Sequence, residues 1–169
     1  VSINNLTLNE NDIGEFRTFL KLSPPLRSEE DRLALIEGLN NSLIDIIVSD
    51  HKPEDEESKR LTFQHAASGA SGIETLLSLA LELYHNKSCS LMTIIRSLTS
   101  NPAKLFDINA GSLEKNYPAD IAILDLDKPW VIKKDNIRSK SKNTAIENKK
   151  LQGKVEKTFL NGNLVFDNK

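Results

Sequence analysis

The stretch LIDIIVSDHK, residues 43–52, decides how the rest of the chain is read. Its first six residues are mostly β-branched and nearly continuous in apolar character. That pattern suits a parallel strand buried on both faces better than an edge strand with one wet face. Upstream, Pro24 and Pro25 interrupt the chain, and Ser28 stands as a helix cap with Glu29, Glu30 and Asp31 in the first turn, where the helix dipole favours acids. Leu33, Leu35, Ile36 and Leu39 form the expected buried stripe, and Gly38 with Asn40 and Asn41 closes the helix. Residues 1–8 alternate weakly, as a strand would, before the turn chemistry of residues 9–14 and a short apolar stretch at 16–22. Strand, helix, strand in this order points to a parallel α/β arrangement.

Beyond Asp50 the sequence predicts a polar loop over residues 51–71, far longer than an ordinary connection, and loops of that length in compact domains are usually functional or disordered. Ile73, Leu76, Leu77, Ala80, Leu81 and Tyr84 then repeat at helical period, followed by a second helix from Ser90 with Leu91, Ile94, Ile95 and Leu98. Pro102 sits in the first turn of a short third helix capped by Ser100 or Asn101. A turn at 111–120 leads into the strand IAILDL, residues 121–126. From Val131 onward the chain becomes β-rich and basic, and Asn161-Gly162 between two alternating runs is a strong hairpin signal. Residues 1–111 thus read as an α/β unit and residues 112–169 as a β-type module.

With 38% hydrophobic and 27% charged residues, 169 residues can bury one ordinary core, in one domain or two. A formal charge of -2 gives no global attraction to nucleic acid or an anionic membrane, which leaves small-molecule chemistry as the expectation. Cys89 is the single cysteine, so an intramolecular disulfide and a cysteine-rich zinc site are excluded. No apolar run reaches the length of a membrane span, and the start VSINNLTL lacks signal-peptide character, so the reading is cytoplasmic. The absence of Met at position 1 points to a processed or truncated start.

In parallel α/β architectures the reactive residues emerge at the C-terminal ends of strands. Asp50 holds that position; its carboxylate can ligate a metal or accept a proton, with His51 placed to orient it or to touch substrate, the plainer alternative being a turn Asp at the loop entry. Ser68, Gly69, Ala70, Ser71 and Gly72 precede a helix, where small residues with free N–H groups can approach a carboxylate or carbonyl; a tight helix entry explains them equally well. His65 lies in the polar loop and His85 near a helix end, where it complements the dipole. Residues 133–154 carry eight Lys or Arg against two acids, which without interleaved aromatic residues reads as a solvated loop rather than a phosphate contact.

Five segments in order, SPPLRSEEDR at 23–32, VSDHKPEDEESK at 48–59, SGASGIET at 68–75, TSNPAKLFDI at 99–108 and PADIAILDLDKPW at 118–130, resemble the C-terminal half of a dihydroorotase of the type with a long loop after strand eight. Residues 112–125 and 139–166 resemble the family's closing β segment, so the resemblance spans essentially the whole chain. It implies an α/β fold: the C-terminal portion of a (β/α)8 TIM-type barrel, about strands six to eight with their helices, followed by strands of a small β-sandwich module. It also implies membership of the amidohydrolase superfamily, one or two zinc ions, and interconversion of N-carbamoyl-L-aspartate and dihydroorotate in pyrimidine synthesis. Under the resemblance Asp50 matches a metal ligand that also serves as general base and acid, and Ser68-Gly69 match a Phe-Gly pair whose backbone contacts the substrate ring. Ser23 stands where a substrate-binding Asn is usual, Glu54 where a substrate-binding His is usual, and Asn4-Asn5 where a His-His pair supplies a zinc ligand. The remaining ligands would lie upstream, and an opened barrel would need its own N-terminal part as partner, with a homo-oligomer as the expected assembly. Two alternatives accompany this reading: an inactive homologue acting as structural partner of aspartate transcarbamoylase, and a related cyclic ureide hydrolase.

Overall fold

A computed structural model describes residues 1–168, with helices ahead of one antiparallel sheet. The helices are α1 (Ile3–Thr7), α2 (Glu29–Asn40), α3 (Glu56–Arg60), α4 (Leu76–His85), α5 (Leu91–Leu98) and α6 (Ser100–Leu105). Ser28 caps α2 by accepting from the Asp31 N–H, and Ser90 caps α5 by accepting from the Thr93 N–H. Glu29, in the first turn of α2, is held down to about 2 by hydrogen bonds from Arg32 and Asn9. Ile3 and Leu6 of α1, Ile36 and Leu39 of α2, Leu79 and Leu83 of α4 and Ile94 of α5 meet in one core with Leu20, Leu22 and Leu26.

The sheet orders β1 (Ile121–Val131), β2 (Lys150–Leu160) and β3 (Asn163–Asp167) as successive antiparallel neighbours. Ile121 lies opposite Phe159 and Trp130 opposite Leu151, with register shifts between Ile123 and Leu124 and between Asp125 and Pro129. The β2–β3 turn takes Asn161 at φ 49° and Gly162 at φ 78°, the doubly left-handed backbone that an Asn-Gly hairpin demands. The inner end of the sheet docks on α4 at Gly153. Ser78 Oγ donates to the Gly153 carbonyl at 2.7 Å, and Trp130 Nε1 donates to Ser78 Oγ at 3.1 Å. His85 and Leu126 are joined through the imidazole Nε2 and the carbonyl at 3.0 Å, which gives that histidine a docking role.

Several local expectations need correction. Residues 1–8 are not a strand: Ser2 alone forms a parallel bridge, to Val48, and the chain then winds into α1, with Ile3, Asn4, Asn5 and Leu6 all buried. A short run buried on every side carries no usable periodicity, which is why the sequence misleads here. Residues 43–48 run alongside residues 1–3 in the expected parallel sense, through hydrogen bonds from Val48 N–H to Val1 O and from Ile3 N–H to Val48 O. They form no continuous ladder, and Leu43 is 81% exposed, so burial on both faces fails for most of the run. The stripes shift too: Leu33 and Ile73 are exposed, whereas Leu79 and Leu83, outside the expected stripe, are buried. Thr99, not Ser100 or Asn101, occupies the cap position of α6.

The basic segment is a strap, not a loop standing in solvent. Lys133, Lys134 and Lys140 do face water, but Ile132, Ile137, Asn143, Thr144, Ala145 and Ile146 on either side of them or between them are buried. Ile132, Ile137, Ala145 and Ile146 join the same core as α1, α2 and α4. Composition reveals the lysines; the buried residues spaced among them obey no regular period.

Candidate functional site

Asp50 lies just beyond the parallel bridge at Val48, half-buried, with φ 49°. Among the described residues its carboxylate has no hydrogen-bond or ion-pair partner, so it stands open at the head of the long loop. His51, its neighbour, forms a parallel bridge with Ala70. His51 Nδ1 accepts from the N–H groups of Gly72 at 3.1 Å and Ile73 at 3.3 Å, so that nitrogen carries no hydrogen and the ring serves the entry to α4. The expectation that His51 orients Asp50 finds no contact to support it.

The small residues before α4 spend their donors internally. Gly69 N–H donates to the Lys21 carbonyl, and Ser71 N–H to the Asn143 carbonyl. With Gly72 and Ile73 held by His51, the anion-cradle reading of residues 68–72 gives way to the tight entry. Close approach explains the glycines: a Cβ on Gly72 would lie 2.5 Å from the Ser49 carbonyl oxygen, and one on Gly69, at φ 145°, 2.7 Å from that of Lys52. His65 is exposed and pairs with Thr62 Oγ1 at 2.9 Å.

The other candidate residues are gathered by a chain of contacts. Lys52 Nζ donates to the Ser68 carbonyl at 2.8 Å and pairs with Glu54 at 3.3 Å, so Glu54 and Ser68 share one cation. Gly69 reaches Lys21, two residues before the exposed Ser23. On the far side of Ser23, the Pro25 carbonyl accepts from Asn5 Nδ2 at 2.9 Å. Asn4 Nδ2, Asn5 Oδ1 and Ser2 Oγ are buried without partners, the only side-chain polar atoms so placed among the described residues.

Two residues to which the sequence motifs assign no role hold this rim together. Asn143, from the strap, donates from Nδ2 to the Gly69 carbonyl at 3.1 Å and accepts at Oδ1 from the Glu54 N–H at 3.2 Å. Its Oδ1 also accepts from Ser141 Oγ, which in turn contacts the Glu54 carbonyl. Lys59, on α3, is 2% exposed and reaches the carbonyls of Thr18, Lys21 and Ala67. Neither carries a local signal of this role, because each also depends on partners tens of residues away.

A zinc centre does not fit the residues of this chain taken alone. Among the described residues no three His, Cys, Asp or Glu side chains converge as a ligand set. Asp50 supplies one carboxylate, and the Asn4 and Asn5 amides of α1 are poor zinc donors compared with imidazole. Among the described residues no helix is long and apolar enough to cross a membrane.

Comparison with known proteins bears on the chain's family and fold. The chain is 41% identical over 169 residues to the dihydroorotase of Wolbachia sp. subsp. Drosophila simulans, covering 100% of this chain and 38% of that protein. It is 41% identical over 167 residues to the dihydroorotase of Clostridioides difficile, covering 98% and 39%. The chain therefore spans about two fifths of the length of these curated relatives. Among solved structures, L-hydantoinase (dihydropyrimidinase) from Arthrobacter aurescens superposes with a TM-score of 0.92 at 31% identity, over 98% of this chain and 38% of that one. Dihydropyrimidinase from Brevibacillus agri gives 0.90 at 22% identity, over 99% and 39%, a likeness of fold alone. The partial α/β fold is thus that of a longer hydrolase architecture. The Amidohydrolase family model matches residues 6–165, and with nearly every element of the structure inside that span, the chain belongs to the amidohydrolase family.

Proposed function

We propose that the chain is the C-terminal part of a dihydroorotase-type cyclic amide hydrolase interconverting N-carbamoyl-L-aspartate and dihydroorotate. The observation that carries the proposal is the open carboxylate of Asp50, half-buried at the head of the long loop and committed to no partner among the described residues. In this reading residues 1–111 are the closing part of a (β/α)8 barrel and residues 112–169 strands of a small β-sandwich. Asp50 takes a proton from the attacking water and delivers it to the ring nitrogen as the amide C–N bond breaks. The same carboxylate is the one metal ligand this chain offers; one or two zinc ions, as the family resemblance implies, would draw their other ligands from outside it.

Ser23 and Ser68 offer hydroxyls at the rim, and Glu54 lines it with its charge offset by Lys52. Gly69 contributes chiefly by letting the backbone approach Lys52 closely. The partner-protein reading, in which an inactive homologue assists aspartate transcarbamoylase, draws on Asn4, Asn5, Ser23 and Glu54; the names of the curated relatives favour the enzyme. A cytoplasmic homo-oligomer remains part of the proposal.

A chimera tests it: the chain replaces the corresponding C-terminal part of the Wolbachia dihydroorotase, and hydrolysis of dihydroorotate and of hydantoin is measured with and without Asn5→His. The expected result is dihydroorotate hydrolysis in preference to hydantoin, raised by Asn5→His as an imidazole replaces an amide. Preference for hydantoin would transfer the chain to the cyclic ureide hydrolases. A cooperatively folded chimera inactive both before and after the substitution would refute the enzyme reading.

A further inference from the structure

A buried lysine demands an explanation, because removing an ammonium from water is costly unless its donors are satisfied. Lys59 sits within the polar stretch that joins Asp50 to the small-residue run, yet it is among the most completely buried side chains of the molecule. Among the described residues no carboxylate pairs with it within 4.0 Å. Instead Nζ donates to the carbonyls of Ala67 at 2.7 Å, Thr18 at 3.0 Å and Lys21 at 3.4 Å, which uses the three hydrogens of an ammonium. Charged groups around it oppose one another: Glu54 favours its proton, Lys21 and Lys52 disfavour it, and desolvation outweighs all three.

The three carbonyls belong to two segments with different tasks. Thr18 and Lys21 lead into the turn carrying Ser23; Ala67 immediately precedes Ser68 and Gly69. Around the ammonium the same segments are laced by Thr18 Oγ1 donating to the Lys59 carbonyl at 2.5 Å, Ala67 N–H to Ser58 O at 3.1 Å, and Lys21 Nζ to Gln64 O at 2.8 Å. Take away the ammonium and three partly buried carbonyl acceptors face one another with no donor between them.

We propose that Lys59 is a positioning residue: its ammonium draws the carbonyls of Thr18, Lys21 and Ala67 to one point and so fixes the loop carrying Ser68 and Gly69 against the turn carrying Ser23. Its link to substrate rests on the proposed function, in which those residues face the ring; its link to loop geometry does not. Lys59 touches no reacting atom and acts only through the backbone it holds.

Hydrogen exchange on the full chain, and kinetics on the chimera, test this with Lys59→Met, which keeps the apolar stem and removes the donors. Exchange is expected to rise about tenfold or more in peptides covering residues 18–21 and 66–69 while α4 and the β1–β2 pair stay protected. In the chimera, KM for dihydroorotate is expected to rise about tenfold with kcat little changed, the signature of lost positioning rather than lost chemistry. Unchanged exchange, exchange raised equally everywhere, or a local rise with KM unmoved would overturn the proposal. A local rise in a chimera with no activity even before the substitution would instead refute the enzyme reading and leave the loop anchor standing. Should the variant not fold, labelling the unaltered chain with an amine-reactive ester decides: Lys59 reacting about tenfold slower than exposed Lys52 supports the anchor, and equal rates contradict it.

Discussion

A lysine held by carbonyls alone gives up its proton more readily than one in water, and at Lys59 burial lowers the pKa from 10.5 to about 8. The unfolded chain, with the higher value, binds more protons between those limits, so Lys59 makes the fold more stable as pH rises from about 8 towards 10.5 and contributes no pH slope below 8. The effect is on the order of 1–3 kcal/mol. Urea denaturation at pH 7.5 and pH 10 should show the unaltered chain gaining that much relative to Lys59→Met, whereas parallel pH profiles for the two would contradict the assignment. Such residues are the hardest to read in a sequence. Ser28 was legible as a cap because its partner lies three residues on. Lys59 and Asn143 were not, since their partners sit up to 89 residues away and nothing local marks the pairing.

Elements were legible where a local rule and the buried face agreed. The helices α2 and α5 follow their caps, and the β2–β3 hairpin follows Asn161-Gly162, because backbone geometry there is set by residues within the turn itself. Residues 1–8 and 43–48 were misread because a strand is defined by its neighbours, and only one short parallel bridge links these two segments. The docking of sheet on helix hangs on Gly153, at φ 95°, where a Cβ would stand 2.3 Å from Leu81 Cδ1. Gly153→Ala should therefore cost about 1–3 kcal/mol, from the strained backbone and the overpacked contact together. Thermal denaturation would register it as a lowered midpoint, accompanied by weakened Trp130 burial in fluorescence. A variant as stable as the parent would mean that the sheet end does not depend on this contact.

At the scale of the molecule, the partial α/β fold and its family were legible through five ordered motifs, whereas the rim's internal wiring was not. Motifs record which side chains are present, and the structure adds that His51 serves the entry to α4, that Gly69 and Ser71 spend their donors within the chain, and that Asp50 stays open. The proposed chemistry therefore rests on a single carboxylate, that of Asp50. The most direct test is the rate of dihydroorotate hydrolysis by the chimera with Asp50 intact and with Asp50→Ala, both variants being shown to fold. If Asp50 shuttles the proton, kcat should fall by about 10²–10⁴-fold on substitution while the melting temperature is little altered. An Asp50→Ala chimera that hydrolyses dihydroorotate at the parental rate would contradict the account at its centre.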